Sequence, residues 1–301
     1  MTTAVISVRG LRKSYGSLEA VREIDLEVGA GEIFAFLGPN GAGKTTTVEI
    51  LEGHRTRDSG EVSVLGADPA RAGLDWNARI GVMLQTLQVQ PELTVRESLE
   101  QFAGYYPRPR PLEETIELVG LHEERDTRAG RLSGGQQRRL DLALALIGDP
   151  ELLFMDEPTT GFDPAARRGA WSAIERLREL GKTVFLTTHY MDEAQRLADR
   201  VAIIAAGRIV AQGAPGELGG DGAHARVSFR LPGDISSQDL PPGLGAEVEV
   251  RGDRVELRSE TPLALLETLA AWARSRSVDV RDLEVRQRSL EEVYLELVGE
   301  E

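Results

Sequence analysis

The sequence runs to 301 residues, with 41% hydrophobic and 28% charged residues, so one large or two modest folded units are expected rather than a disordered chain. It contains no cysteine, which excludes disulfides, thiolate metal sites and thiol catalysis. Forty-nine acidic residues against 35 basic leave a net charge of −14, a field that argues against nonspecific binding to nucleic acid or a broadly basic membrane face. No apolar run reaches the roughly 18–20 residues needed to span a bilayer. The opening MTTAVISVRG lacks a basic stretch followed by a long apolar one, so a cytosolic protein is expected.

The first part alternates short apolar runs with helical patterns, which reads as α/β. Ile33–Leu37 is a strand buried on both faces, and a helix begins at Thr45. Val62–Leu65 and Ile80–Leu84 are short strands. Helical signals then dominate, at Val95–Tyr105, Leu112–Leu118 and Gln136–Ile147, marking a helical insertion at about 86–150. Strand signals return at Leu152–Met155, Thr183–Thr187 and Val201–Ala205, with a helix at Ala165–Leu180. The turn Ala206-Gly207 reads as a hairpin.

A linker is expected at Gly213–Gly222, which is dense in Gly and Pro. Residues 223–301 then carry alternating runs at Ala225–Leu231, Ala246–Val250 and Arg254–Arg258. A helix at Leu263–Ser275, a strand near Val278–Val285 and a helix at Ser289–Val298 follow. This is expected to be a small α+β accessory domain, with a ferredoxin-like sandwich as the model topology. It is also the more acidic part: from Gly219 onward there are 17 acidic and 10 basic residues.

Chemistry concentrates in three motifs. Gly38-Pro39-Asn40-Gly41-Ala42-Gly43-Lys44-Thr45 fits the phosphate-binding loop, between a strand and a helix as that function requires. Its glycines let backbone N–H groups curl round an anion, Lys44 would reach the β- and γ-phosphates, and the Thr45 hydroxyl would ligate Mg²⁺. The chain has only three lysines, Lys13, Lys44 and Lys182, so one at this position carries weight. Leu152–Glu157 then delivers two carboxylates at the C-terminal end of an apolar strand, where open α/β sheets bind ligands. Asp156 suits a Mg²⁺ shell, and Glu157 suits polarising an attacking water. Alone, this pair would describe any solvated strand end; the phosphate loop gives it meaning. Third, Leu132-Ser133-Gly134-Gly135-Gln136 places an N-cap serine and flexible glycine amides ahead of a helix, again an anion-binding arrangement.

Leu132–Gln136 resembles the signature peptide of ATP-binding cassette (ABC) ATPases, and about residues 4–218 follow the cassette pattern with its motifs in order. The fold so implied is a P-loop NTPase of the ABC type with a helical subdomain, spanning 1–218. By the same resemblance ATP and Mg²⁺ are the cofactors, and the loop through Thr46 holds the phosphates. Tyr15 resembles the aromatic that stacks on adenine. Gln85 resembles the glutamine that touches Mg²⁺ and relays to the membrane partner. Asp163 closes a D-loop, and His189 matches the switch histidine. His54, His122 and His224 have no such placement. The departures are small: Gly161-Phe162 stands where Gly-Leu is common, and Glu52-Gly53 where Thr-Gly is frequent. Thr159–Pro164 and Ser289–Gly299 look like the daunorubicin-type drug-exporter subfamily.

The resemblance implies an ATPase subunit at the cytoplasmic face of the membrane, peripheral through a separate transmembrane permease that exports a drug-like or other hydrophobic substrate. Its dimer partner would be a second copy or another cassette, with each ATP between one phosphate loop and the opposite Ser133–Gln136. The alternative class is a non-transport cassette ATPase acting on nucleic acid or the ribosome. Against it, too few residues separate Thr45 from Leu132 for a long coiled coil, zinc-bearing members need cysteines, and translation-type members carry two cassettes. A small-molecule kinase would leave Leu132–Gln136 unexplained.

Overall fold

The computed structural model describes residues 4–83, 89–218, 225–232, 239–241, 247–259, 261–286 and 290–299. Two compact units part between Pro215 and Gly216. The first opens with β1 (Ala4–Tyr15) and β2 (Leu18–Gly29), an antiparallel pair that joins β4 (Ser59–Val64) in a sheet of order β2-β1-β4. Between them in sequence come β3 (Ile33–Leu37) and α1 (Lys44–Leu51). The 12-residue strands β1 and β2 escape a simple alternation reading. Their pairing shifts register several times, with Gly10 and Glu23 in the left-handed region at φ 58 and 59, and each irregularity moves the apolar set to the other face.

The chain continues through α2 (Leu74–Asn77), β5 (Ile80–Met83), α3 (Val95–Ala103), α4 (Leu112–Leu118) and α5 (Gly134–Leu146). It then runs through β6 (Leu152–Asp156), α6 (Pro164–Glu179), β7 (Thr183–Thr188), α7 (Met191–Leu197), β8 (Arg200–Ala205) and β9 (Arg208–Gly213). Leu84, expected to end β5, lies outside the described residues, as does Gln85. Helices α3–α5 occupy the expected insertion. α5 starts two residues before the apolar pattern does, because Ser133 caps it ahead of both glycines.

The main sheet has order β5-β6-β7-β3-β8-β9. Its first five strands are parallel and β9 closes antiparallel against β8. All five residues of β3 are buried, which is why it reads as a continuous apolar run; all six of β7 are buried too, its three threonines included. Phe185 on β7 centres the packing, its ring 5.6, 5.7 and 5.8 Å from those of Phe34, Phe36 and Phe154. Because the five strands run the same way, the segments leaving β3, β6, β7 and β8 share one edge.

The second unit contains β10 (Ala225–Arg230), β11 (Glu247–Arg251), β12 (Arg254–Ser259), α8 (Pro262–Arg276), β13 (Arg281–Arg286) and α9 (Leu290–Val298). Its sheet has order β11-β12-β10-β13 with every pairing antiparallel. Leu265, Leu269 and Trp272 of α8 pack with Val227, Phe229, Val255 and Leu257. The sheet order, fourth strand beside first, then third, then second, with every pair antiparallel, is that of a ferredoxin-like sheet, and α8 joins its last two strands as that topology requires. Most of the connection from β10 to β11 lies outside the described residues. In α9, apolar residues recur at helical spacing at Leu290, Val293 and Leu297, of which the first two are buried and Leu297 is 40% exposed, so that face is only partly covered.

Candidate functional site

The loop after β3 turns tightly onto α1. Gly43 has φ 105, and a Cβ there would lie 2.4 Å from the Ala20 carbonyl oxygen, so no other residue fits without displacing backbone. The Ala42 N–H donates to the Pro39 carbonyl at 3.2 Å, and the Gly207 N–H to the Ala42 carbonyl at 3.0 Å. Lys44 is buried at 8% exposure, and its Nζ donates to the carbonyls of Gly38 at 2.7 Å and Pro39 at 3.0 Å. Burial lowers its pKa, and the charges of Glu157 and Asp156 oppose that shift. A partly desolvated cation at the first position of α1, its ammonium turned back over the loop, is an anion-binding arrangement together with the helix N-terminus. Thr45 next to it is exposed and Thr46 partly so.

Asp156 and Glu157 leave the neighbouring edge. The Thr187 hydroxyl donates to Asp156 Oδ1. The Glu157 N–H donates to the Thr187 carbonyl at 3.1 Å and lies 3.2 Å from its Oγ1. Glu157 itself is in the left-handed region at φ 49, a conformation that costs a non-glycine residue about 1–3 kcal/mol and concentrates at functional sites. Arg138 of α5 supports this turn, its Nη2 donating to the carbonyls of Asp156 at 3.1 Å and Glu157 at 3.2 Å. Glu157 Oε2 accepts from the Thr160 hydroxyl at 3.1 Å, and Oε1 lies 3.2 Å from His189 Nδ1. The Glu157 side chain is 19% exposed and that of His189 46%, so the pair faces solvent from a mostly enclosed base. A carboxylate and an imidazole so placed, beside a lysine-lined loop, can orient water against a bound phosphate.

The remaining expected residues are placed as follows. Ser133 and Gln136 form a reciprocal capping box, Gln136 N–H to Ser133 Oγ at 3.3 Å and Ser133 N–H to Gln136 Oε1 at 2.8 Å. Gly134 and Gly135 occupy the first turn of α5. Among the described residues this peptide makes no hydrogen bond to the phosphate loop. Tyr15, 40% exposed, ends β1 with the Arg55 guanidinium 5.3 Å and Lys13 Nζ 5.6 Å from its ring centre. Asp163 caps α6, its Oδ1 accepting from the Ala166 N–H at 2.9 Å. Gln85 lies outside the described residues.

Sequence reasoning missed Arg138 and Thr187 as supports of Glu157. It also missed the state of Glu52. Burial, with Asp156 and Glu49 adding repulsion, raises the Glu52 carboxyl to about 8. The available signal was a carboxylate closing a helix that the phosphate loop drives into the core.

A parallel sheet whose edge gathers a phosphate loop, a strand-borne carboxylate pair and a histidine defines a nucleotide-hydrolysing P-loop fold. The ABC transporter family matches residues 21–160, and the family described as the ABC transporter domain-containing protein-like C-terminal domain matches residues 225–289. The chain is 38% identical to Nod factor export ATP-binding protein I of Bradyrhizobium diazoefficiens, covering 100% of this chain and 98% of that one. It is 40% identical to the protein of that name from Rhizobium meliloti, over 99% of this chain and 89% of the relative. Among solved structures, cbiO1 from Clostridium perfringens, part of the cbiONQ ABC transporter complex, superposes with a TM-score of 0.66. It is 27% identical and covers 71% of this chain and 90% of that one. An ABC transporter cassette in its ADP conformation gives 0.61 at 25% identity, over 71% and 92%. The chain belongs to the ABC transporter family and is one of its ATP-hydrolysing subunits.

Proposed function

We propose that this chain is the ATPase of an exporter whose membrane-spanning part is a separate permease, and that it works at the cytoplasmic face as a dimer with a second copy or another cassette. No helix among the described residues is long and apolar enough to cross a membrane. Export is carried to this chain by the near full-length relatives named for that activity. For the cargo, the daunorubicin-type resemblance of Thr159–Pro164 favours a drug-like or otherwise hydrophobic molecule.

The observation that carries the chemistry is the meeting of Glu157 and His189 at 3.2 Å beside Lys44. Glu157 takes the role of general base, orienting water toward the γ-phosphate, and His189 steadies that carboxylate and the phosphate. The loop Gly38–Thr46 holds the phosphates, Tyr15 stacks on adenine, and Ser133–Gln136 with Asp163 serves the partner's nucleotide. One strand-end carboxylate and one hydroxyl, Asp156 and Thr45, are the oxygen donors Mg²⁺ accepts when phosphates complete its shell, so the residues present fit that ion; Gln85 is assigned to the same shell. The ion would neutralise charge developing on the phosphate oxygens.

Glu157→Gln tests the reading. ATP affinity should hold while turnover falls by about 10²–10⁴-fold and an ATP-bound dimer accumulates on size-exclusion chromatography. Turnover at the wild-type rate would overturn the assignment.

A further inference from the structure

Glu193 lies on α7, one helical turn beyond His189, and is fully buried at 0% exposure. Its Oε1 accepts two hydrogen bonds, from the Thr159 hydroxyl at 2.7 Å and the Trp171 indole N–H at 3.0 Å. Thr159 is itself 1% exposed and sits two residues after Glu157, and Trp171 belongs to α6. The other oxygen, Oε2, is buried with no hydrogen-bond partner among the described residues.

What the carboxyl does is join three segments. They are the connection from β6 that carries Glu157 and Thr160, the helix that opens after Asp163, and the helix that follows His189. A second link runs nearer the surface. The Arg167 guanidinium lies 3.9 Å from the Tyr190 ring centre and 2.9 Å from Asp192 Oδ2, and the Tyr190 ring is 4.0 Å from that of His189. Solvent screens the exposed ion pair, and the buried bonds therefore fix the geometry.

We propose that Glu193 is a positioning residue for ATP hydrolysis, holding Glu157 and His189 in register through Thr159. The inference rests on the reading of Glu157 as the base. Glu193 acts through Thr159 and Trp171; it sets where α7 stands against the β6–α6 connection, and a displacement of about 1 Å at reacting groups costs roughly 10²-fold in rate.

The test uses the full-length chain carrying Glu193→Ala, Glu193→Gln, Thr159→Val or the Glu193→Ala/Thr159→Val pair, with Glu157→Gln alongside. Steady-state ATPase gives kcat and KM, a fluorescent ATP analogue gives affinity, and melting temperature reports stability. Glu193→Ala and Thr159→Val should each lower kcat by about 10–100-fold with nucleotide affinity within about twofold of wild type. The double variant should fall no further than the worse single one, because both break the same bond. Glu193→Gln should return kcat to within about threefold, since both donors converge on one oxygen that a carboxamide also supplies. Wild-type kcat in Glu193→Ala or Thr159→Val would overturn the proposal. So would a glutamine variant as slow as alanine, or kcat and ATP affinity falling together with melting temperature. If Glu193→Ala does not fold, Thr159→Val and Glu193→Gln decide alone. Wild-type turnover in Glu157→Gln would instead remove the reading of the base itself.

Discussion

Replacing Gly43 with alanine should damage the site far more than the same change at Gly41, although both glycines sit in one loop with positive φ. At Gly41, φ is +80 and no atom lies within 4 Å of an added Cβ, so the cost is the left-handed conformation alone, about 1–2 kcal/mol. At Gly43, φ is +105 and the Cβ would sit 2.4 Å from the Ala20 carbonyl oxygen. Overlap of that kind adds roughly 1–3 kcal/mol as the backbone shifts, for about 2–5 kcal/mol in all. In a unit of this size each kcal/mol lowers Tm by about 2–4 °C, so the two variants should separate clearly by calorimetry. The shift also turns amide N–H groups away from the phosphates. Losing one charge-assisted hydrogen bond, about 1.5–3 kcal/mol, weakens ATP binding roughly ten- to a hundredfold by fluorescence titration. Equal Tm and equal affinity in the two variants would refute the reasoning, since it would mean that the close approach to Ala20 does not shape the loop.

The elevated Glu52 carboxyl makes stability depend on pH. Its folded value of about 8 lies above the ordinary 4.5, so the native state holds the extra proton and this contribution declines as pH rises from about 4.5 to about 8. Glu52→Gln should match wild type in denaturant titrations below pH 4.5 and exceed it at pH 8; a constant difference across that range would count against the buried protonated carboxyl. Ser133→Ala removes an N-cap and should destabilise by about 1 kcal/mol while leaving monomeric ATP binding intact and lowering dimer-dependent hydrolysis. A weakened monomer affinity would contradict the action of this peptide on the partner's nucleotide. Tyr15→Ala should cost about tenfold in ATP affinity, and Tyr15→Phe little, because stacking needs the ring. A phenylalanine variant as weak as alanine would point to the hydroxyl instead.

The nucleotide core was legible because its signals are local. A buried strand, a glycine turn and a helix start follow one another within Ile33–Leu51, and Ser133 marks its own helix end. Partners across the sheet were not legible. Thr187 meets Asp156 only because β7 lies beside β6, and β3 inserts between β7 and β8 despite its distance in sequence. β1 and β2 were hidden by their bulges. In the second unit alternation reports which face of a strand is covered and says nothing of its neighbour, so the sheet order could come only from the ferredoxin-like expectation, which the order β11-β12-β10-β13 matches. Arg138 illustrates the limit at the site: its place in α5 is evident, whereas its two bonds to the backbone of Asp156 and Glu157 depend on how that helix docks.

The brace behind the phosphate loop has a mechanical consequence. The turn between β8 and β9 is bonded to the loop by Gly207 N–H to Ala42 and to β2 by Arg22 N–H to the Gly207 carbonyl at 2.7 Å. β9 then runs through Gly213 to the point where the second unit begins. A tensile load applied to the chain at Pro215 is therefore transmitted along one short strand to the peptide that cradles the phosphates. The strand's antiparallel ladder with β8 lies between that load and the loop.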